Sequence, residues 1–325
     1  MMNNRKIAVF TSGGDAPGMN TCLRSVVRCA LSHGCEVVGI MRGYEGMIQG
    51  EFIPLTARSV SNIMQRGGTI LKTARSQVFR TAEGMKQASE QLKSHGIDGI
   101  IAIGGDGTFK GAVEFNKLNK IPFIGIPGTI DNDLNGTDYT IGFDTALNTI
   151  IDAVDKLKDT AASHDRIFFV EVMGRDSGCL ALYAGIACGA EEILLPEEKT
   201  DIEKLVNKLK DSLHRRKTSS IVMVAEGDDG GGAYKIAQEV KKRFDYDIRV
   251  TVLGHIQRGG NPSAKDRIMA TRFGAVAVEA LLNGETNKMT GWNGHEVILV
   301  DLQKAVKQES PLDKNLLRYK EFLSL

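Results

Sequence analysis

The chain is poor in cysteine: Cys22, Cys29, Cys35, Cys179 and Cys188 are all it has in 325 residues. No two of them form a CxxC pair and none joins a histidine at zinc-ligand spacing. An odd number does not suit a disulfide framework either, so a reducing compartment, the cytoplasm, is expected. Long apolar runs are also missing. No stretch of about 18 apolar residues occurs to span a bilayer, and Met1 to Phe10 is too polar and short for a secretory leader. Net charge is nearly absent, with 41 Lys and Arg against 40 Asp and Glu. No global charge therefore draws the chain to nucleic acid or to an anionic membrane, and cations that matter must be clustered locally. Low-complexity segments and flexible linkers are lacking too, and Asp228 to Gly232 (Asp-Asp-Gly-Gly-Gly) reads as a mobile surface turn.

What is present is apolar material in short pieces. At 42% hydrophobic residues, a chain of this length can bury a large core and suits two intimately joined domains. Runs rich in Ile and Val recur at strand length: Ile7 to Phe10, Glu36 to Ile40, Gly99 to Ile103, Phe123 to Ile126, Ile167 to Val172, Ile221 to Ala225 and Val250 to Leu253. Most read as continuously buried strands of a parallel sheet. Phe143, Ala146, Leu147, Ile150, Ile151, Val154 and Leu157 keep helical spacing, with Asp152, Asp155, Lys156 and Lys158 on the opposite face. Strands alternating with helices imply an α/β class with open sheets, whose ligands bind beyond the carboxyl ends of strands.

Three of those strands run into glycine-bearing loops. The first enters Thr11-Ser12-Gly13-Gly14-Asp15-Ala16-Pro17-Gly18-Met19-Asn20 before a helical pattern. Glycine lets backbone approach a ligand there, and a helix N-terminus offers free N–H groups to phosphate; an ordinary strand-to-helix turn has the same look. The second loop, Gly104-Gly105-Asp106-Gly107-Thr108, carries one carboxylate among amides. Such a group suits Mg2+ held largely through water, which makes Asp106 the metal candidate. Gly105, Gly107 and Gly111 give GxGxxxG rather than the dinucleotide GxGxxG, and no GxxxxGK[ST] P-loop occurs. The third loop, Pro127-Gly128-Thr129-Ile130-Asp131-Asn132-Asp133, places two carboxylates two residues apart. In an extended loop both lean the same way, and Asp131 could take a proton from an attacking hydroxyl; an Asx turn would use the same residues. Later strands end in Met173-Gly174-Arg175, in Glu226-Gly227 and in Gly254-His255-Ile256-Gln257-Arg258-Gly259-Gly260. These are groups able to hold a sugar phosphate, though each alone also serves as a surface salt-bridge residue.

Taken together, TSGGDAPGMN, IGGDGT, PGTIDND, GTDYTIGFDTA, VEVMGR and VLGHIQRGG follow the order and rough spacing of the bacterial ATP-dependent 6-phosphofructokinases. The chain resembles that family over nearly its whole length, most weakly in about the last 40 residues. The resemblance implies two Rossmann-like three-layer αβα domains with mainly parallel sheets and an active site between them. A larger ATP-binding domain would take 1–142 plus about 257–307, and a smaller sugar-phosphate domain 143–256 plus about 308–325. It implies phosphorylation of fructose 6-phosphate by ATP with Mg2+, the committed step of glycolysis. Gly14, Tyr44, Arg75, Ser76, Arg80 and Gly105, Asp106, Gly107, Thr108 would surround ATP. Asp131 would be the base, with Thr129, Asp133, Arg75 and Arg175 assisting catalysis. Thr129, Ile130, Asp131, Met173, Gly174, Arg175, Glu226, His255, Ile256, Gln257 and Arg258 would contact the sugar phosphate, joined by Arg166 and Arg249 from a neighbour in a homotetramer.

Pyrophosphate-dependent relatives carry Asp where this chain has Gly107 and Lys where it has Gly128. A carboxylate at position 107 would meet the α-phosphate, and like charges about 4 Å apart repel by roughly 4 kcal/mol at an effective dielectric of 20, on the order of a thousandfold in affinity. ATP is therefore the expected donor. For effectors, ADP or phosphoenolpyruvate, the resemblance points to Arg24, Arg28, Arg58, Lys158, Gly189, Glu191, Arg215, Lys217 and Ser219. Arg24 and Arg28 are four apart on a predicted helix and share a face, as a merely solvated basic face also would. Two departures bear on the effector: Ala57-Arg58 replaces the family's Arg-Tyr pair, and Ser219 stands where histidine is usual. A pyrophosphate-dependent enzyme, an NAD or lipid kinase sharing GGDGT, and a non-catalytic effector-binding protein of the same fold are the competing readings. The last would show loss of Asp106, Asp131 or Arg75, and all three are present.

Overall fold

The computed structural model describes residues 5–215, 219–307 and 310–323. In chain order, β1 (Lys6–Thr11), α1 (Met19–Ser32), β2 (Glu36–Ile40), α2 (Gly43–Gln49), β3 (Phe52–Leu55), α3 (Ala82–Ser94), β4 (Gly99–Gly104), α4 (Asp106–Leu118) and β5 (Phe123–Pro127) come first. Then follow α5 (Phe143–His164), β6 (Ile167–Val172), α6 (Cys179–Ala187), β7 (Glu192–Leu194), α7 (Ile202–His214), β8 (Ser220–Ala225), α8 (Ala233–Lys241) and β9 (Ile248–Val252). The last are α9 (Ala264–Leu282), β10 (Lys288–Asn293), β11 (Glu296–Asp301), α10 (Leu302–Lys307) and α11 (Lys314–Leu323). Contacts group Met1–Ile130, Leu134–Thr145 and Arg258–Ser310 into one unit, and Asp131–Asp133, Ala146–Gln257 and Pro311–Leu325 into a second.

The first unit holds a sheet in the order β11-β10-β5-β4-β1-β2-β3. Its centre is parallel, and β3 and β11 close the two ends antiparallel. Strands covered on both faces need apolar side chains throughout, and Ile7, Ala8, Val9 and Phe10 are all buried. Ala8 and Phe10 join a core with Tyr44 and Met47 of α2, Leu92 of α3, Phe109 and Phe115 of α4 and Leu302 of α10. Alternate residues face the other way, where α1 and α9 lie against the sheet and each other. These two helices approach closely because position 274 is glycine: a β-carbon there would come within 2.7 Å of Ser25 Cβ and 3.0 Å of the Cys22 carbonyl. Ser25 Oγ also donates across the seam to the Thr271 carbonyl at 2.6 Å.

Register sets the loops. Thr11 pairs with Ile103 and Gly104 with Pro127, so β1, β4 and β5 end side by side. From β1 the chain moves to β2 on one side, and from β4 to β5 on the other. This reversal is a topological switch point, where loops splay apart and leave a crevice.

The second unit is a parallel sheet, β7-β8-β6-β9, with Ile167, Phe169, Val222 and Val224 packed against Leu205, Leu209, Ile236 and Val240 of α7 and α8.

Three expectations change. The strand expected over Val250 to Leu253 spans Ile248–Val252 and is half-exposed, unlike the continuously buried majority, because β9 is an edge. The 228–232 turn is anchored: Asp228 is buried, accepting from Thr200 Oγ1 at 2.6 Å and from Gly230 N at 2.8 Å. Asp131-Asn132-Asp133 is not extended, since Asn132 is left-handed at φ 50, so the two carboxylates do not share a side by alternation.

Candidate active site

In the first unit the loops after β1, β4 and β5 are tied to one another by backbone. Ser12 N donates to the Ile103 carbonyl at 3.0 Å, and Gly128 N to the Gly104 carbonyl at 2.9 Å. A β-carbon at Gly105 would stand 3.3 Å from Thr129 Cβ, which brings the second and third loops into contact. Gly13 and Gly18, at φ 86 and 106, are the positions of the first loop that demand glycine; Gly13 faces Thr108, and a β-carbon at Gly18 would come within 2.6 Å of Ile141. Gly14, the residue chosen from sequence, lies directly under the Arg258 guanidinium, whose Nη1 donates to the Asp15 carbonyl at 3.2 Å. The third loop is held from behind, as Thr140 Oγ1 donates to the Thr129 carbonyl at 2.6 Å and Ile141 N to the Pro127 carbonyl at 2.9 Å.

Helix α4 starts at Asp106 with Gly105 as its N-cap, so its first amides open toward the crevice. Gly107 has no atom within 4 Å of where a side chain would begin. Thr108 is buried, and its Oγ1 finds no hydrogen-bond partner among the described residues. Asp106, half-exposed, meets the exposed Lys110 Nζ at 2.7 Å one helical turn along. Tyr44 is buried beneath this turn: its hydroxyl donates to the Thr108 carbonyl at 2.7 Å and its ring stacks on Phe79 at 3.8 Å. Burial pushes its phenol well above the usual range. Ser76 accepts from Phe79 N at 3.1 Å, while Arg75 and Arg80 are exposed.

The second unit gathers another group at the ends of β6 and β8. Asp131 is 1% exposed, and its Oδ2 lies 3.4 Å from Arg175 Nε. The left-handed Asn132 donates to Cys179 Sγ at 3.7 Å, and burial pushes that thiol up to about 12. Arg175 is itself left-handed at φ 54, a strained conformation for this residue type. Glu226 stabilises the turn, accepting from Gly174 N at 3.3 Å and Arg175 N at 2.8 Å. Gln257, fully buried, accepts from Met173 N at 3.2 Å and donates to the Gly254 carbonyl at 2.9 Å. His255 and Ile256 stay exposed on that 3-10 turn. Arg166 and Arg249 share one carboxylate, with Nε to Asp247 oxygens at 2.8 and 3.0 Å. The Arg166 hydrogen bond, with Arg249 nearby, holds Asp247 below the usual carboxylate range.

Of the effector candidates, Arg24 and Arg28 lie on α1 and Arg58 is exposed, all in the first unit. In the second, Lys158 reaches Asp155 at 3.8 Å, Gly189 takes φ 58, and Arg215 follows α7. Buried Glu191 accepts from Ser212 Oγ; with Arg215 it lines a cavity of about 890 Å³ beside β7, α7 and α11. Ser219 leads into β8, and Lys217 lies outside the described residues. Sequence reasoning missed Gly13, Thr140 and Asp247. The first two sit inside motifs it quoted, and an acid two residues before Arg249 was a signal for the third.

A family model described as Phosphofructokinase matches residues 6–281. A protein of Thermus thermophilus named ATP-dependent 6-phosphofructokinase 1 is 55% identical over 99% of this chain and 100% of its own length. ATP-dependent 6-phosphofructokinase 2 of Bacteroides thetaiotaomicron is 51% identical over 98% of each. Among solved structures, a phosphofructokinase of Saccharomyces cerevisiae superposes with TM-score 0.88 at 38% identity, over 93% of this chain and 45% of that longer one. A pyrophosphate-dependent enzyme of Marinobacter aquaeolei, 23% identical with TM-score 0.84, shares the fold. By sequence along its whole length and by architecture, this chain belongs to the phosphofructokinase family.

Proposed function

We infer that the chain transfers the terminal phosphoryl group of ATP to the 1-hydroxyl of fructose 6-phosphate, giving fructose 1,6-bisphosphate and ADP. The observation that carries the donor is the open space at Gly107, beside the Thr108 hydroxyl at the start of α4, which is buried and has no partner among the described residues. Triphosphate oxygens would take up those amides and that hydroxyl without meeting a carboxylate. The lysine typical of pyrophosphate enzymes has little room at position 128, where even a β-carbon would sit 3.0 Å from Ile103 and 3.3 Å from Met19.

In this reading the first unit takes the nucleotide through its glycine loops, Tyr44 bracing the Thr108 turn and Arg75, Ser76 and Arg80 lying along the phosphates. Asp131 accepts the proton of the 1-hydroxyl as that oxygen attacks, while Thr129 and Asp133 fix the loop and Arg175, now 3.4 Å from Asp131, turns to the incoming charge. A base placed this way contributes roughly 100- to 10,000-fold. Met173, Gly174, Glu226, His255 and Arg258 hold the sugar phosphate.

The residues at the start of α4 fit magnesium. Their metal-binding atoms are oxygens, with a single half-exposed carboxylate on Asp106 that Mg2+ would share with or take from Lys110, and free space at Gly107 for water and phosphate oxygens. Bound there with ATP, Mg2+ would offset the charge that grows on the phosphate oxygens. We further read the working form as a cytoplasmic homotetramer in which Arg166 and Arg249 serve a neighbour's sugar site, with ADP or phosphoenolpyruvate as effector.

The test is product formation from fructose 6-phosphate and Mg2+ with ATP or with pyrophosphate. Fructose 1,6-bisphosphate is expected with ATP alone. Product only with pyrophosphate would overturn the donor assignment, and none with either would remove the activity.

A further inference from the structure

Asp266 is fully buried near the start of α9, and among the described residues no lysine or arginine forms an ion pair with it. Burying a carboxylate is costly unless hydrogen bonds replace its water. Here four donors do so, all from one segment. Oδ1 accepts from Tyr139 Oη at 2.8 Å and Gly142 N at 2.7 Å; Oδ2 accepts from Thr145 N at 2.8 Å and from Thr145 Oγ1. The carboxylate is fixed in turn by its helix, since Ser263 Oγ caps α9 by accepting from Asp266 N at 3.2 Å. The result is a latch that clasps residues 139–145 at both ends.

The clasped segment is the one that shapes the catalytic loop. Between its ends, Thr140 Oγ1 donates to the Thr129 carbonyl and Ile141 N to the Pro127 carbonyl. At Gly142 a β-carbon would come within 2.7 Å of Ala16 and 3.3 Å of Ile130, so the segment is wedged between the first and third loops. The backbone it holds leads directly into Asp131.

We propose that Asp266 and Thr140 are positioning residues for the phosphoryl transfer: Asp266 clamps residues 139–145, and Thr140 passes that placement to the Thr129 carbonyl and so to Asp131. The inference rests on Asp131 as the base. Neither residue touches substrate. The hydroxyl of Thr140 sets where the base stands, and small displacements of a reacting group are expensive, with about 1 Å costing on the order of a hundredfold.

Thr140→Val exchanges the hydroxyl for a methyl group of similar size, and Thr140→Ser keeps the hydroxyl without the methyl. The valine variant is expected to lower kcat by roughly ten- to a hundredfold with the KM for fructose 6-phosphate within about threefold, alongside a modest fall in melting temperature because the buried Thr129 carbonyl loses its donor. The serine variant should recover most of kcat. Asp266→Asn should lower kcat in the same direction, alongside a fall in melting temperature. Wild-type kcat in Thr140→Val, or serine failing where valine fails, overturns the proposal even if Asp266→Asn does not fold. Pairing Thr140→Val with Asp131→Ser separates this inference from the reading beneath it. If Thr140 acts through the base, the double variant turns over no more slowly than Asp131→Ser alone. A further loss of the same size would overturn the route through Asp131, and a fully active Asp131→Ser single variant would remove the base assignment itself.

Discussion

A carboxylate that is 1% exposed and paired with one arginine makes a sharp prediction at the scale of the single residue. Replacing Asp131 by Ser removes the proton acceptor and leaves the backbone of the loop intact. Turnover is expected to fall by roughly 100- to 10,000-fold while equilibrium binding of fructose 6-phosphate changes by only a few fold. Binding lost in parallel with turnover would assign Asp131 to holding substrate instead. Asp131 could be singled out from sequence because it stands in a glycine-led loop after a buried strand. Arg175 could be singled out too, at the end of a later strand, but its pairing with Asp131 could not, because it reaches the carboxylate through a left-handed turn braced by Glu226 that nothing in Met-Gly-Arg announces. Likewise Asn132 breaks the alternation an extended loop would have kept. Side-chain partnerships across distant segments depend on tertiary packing, which local propensity does not encode.

Secondary structure was more legible. The buried parallel strands stand out because coverage on both faces demands unbroken Ile, Val and Phe. Strands β3, β7 and β10 escaped for physical reasons. The first is interrupted by Pro54, the second is only Glu192–Leu194, and the third, Lys-Met-Thr-Gly-Trp-Asn, lacks a β-branched run. Strand β11 carries Val297-Ile298-Leu299-Val300, as apolar as the runs singled out, yet it was not among them. The seam between α1 and α9 carries this scale's prediction. Gly274→Val would push two methyl groups into Ser25 and the Cys22 carbonyl. Overpacking of this kind costs about 1–3 kcal/mol, to be read from the midpoint of urea unfolding. An unchanged midpoint would mean the helices separate freely and that the close approach contributes nothing.

At the scale of the whole molecule, Asp247 holds Arg166 and Arg249 together on the rim of the smaller sheet. If those arginines serve a neighbouring subunit, the active particle contains several chains. Sedimentation is expected to give a single species of four subunits, whose rate at subsaturating fructose 6-phosphate rises with added ADP. A fully active monomer would strip Arg166 and Arg249 of the shared role, and a rate flat in ADP would remove that effector.

The strand order of the larger sheet also bears on how the protein is made. Strand β5 pairs with β4 on one side, but its other neighbour, β10, begins only at Lys288. At a ribosomal pace of about 5–20 residues per second, the growing chain shows the free edge of β5 for roughly ten to thirty seconds before the covering strand is synthesised. During that interval the nascent polypeptide carries an unpaired edge lined by Phe123, Ile124 and Ile126, a natural client for a chaperone and the stage of biogenesis most exposed to aggregation.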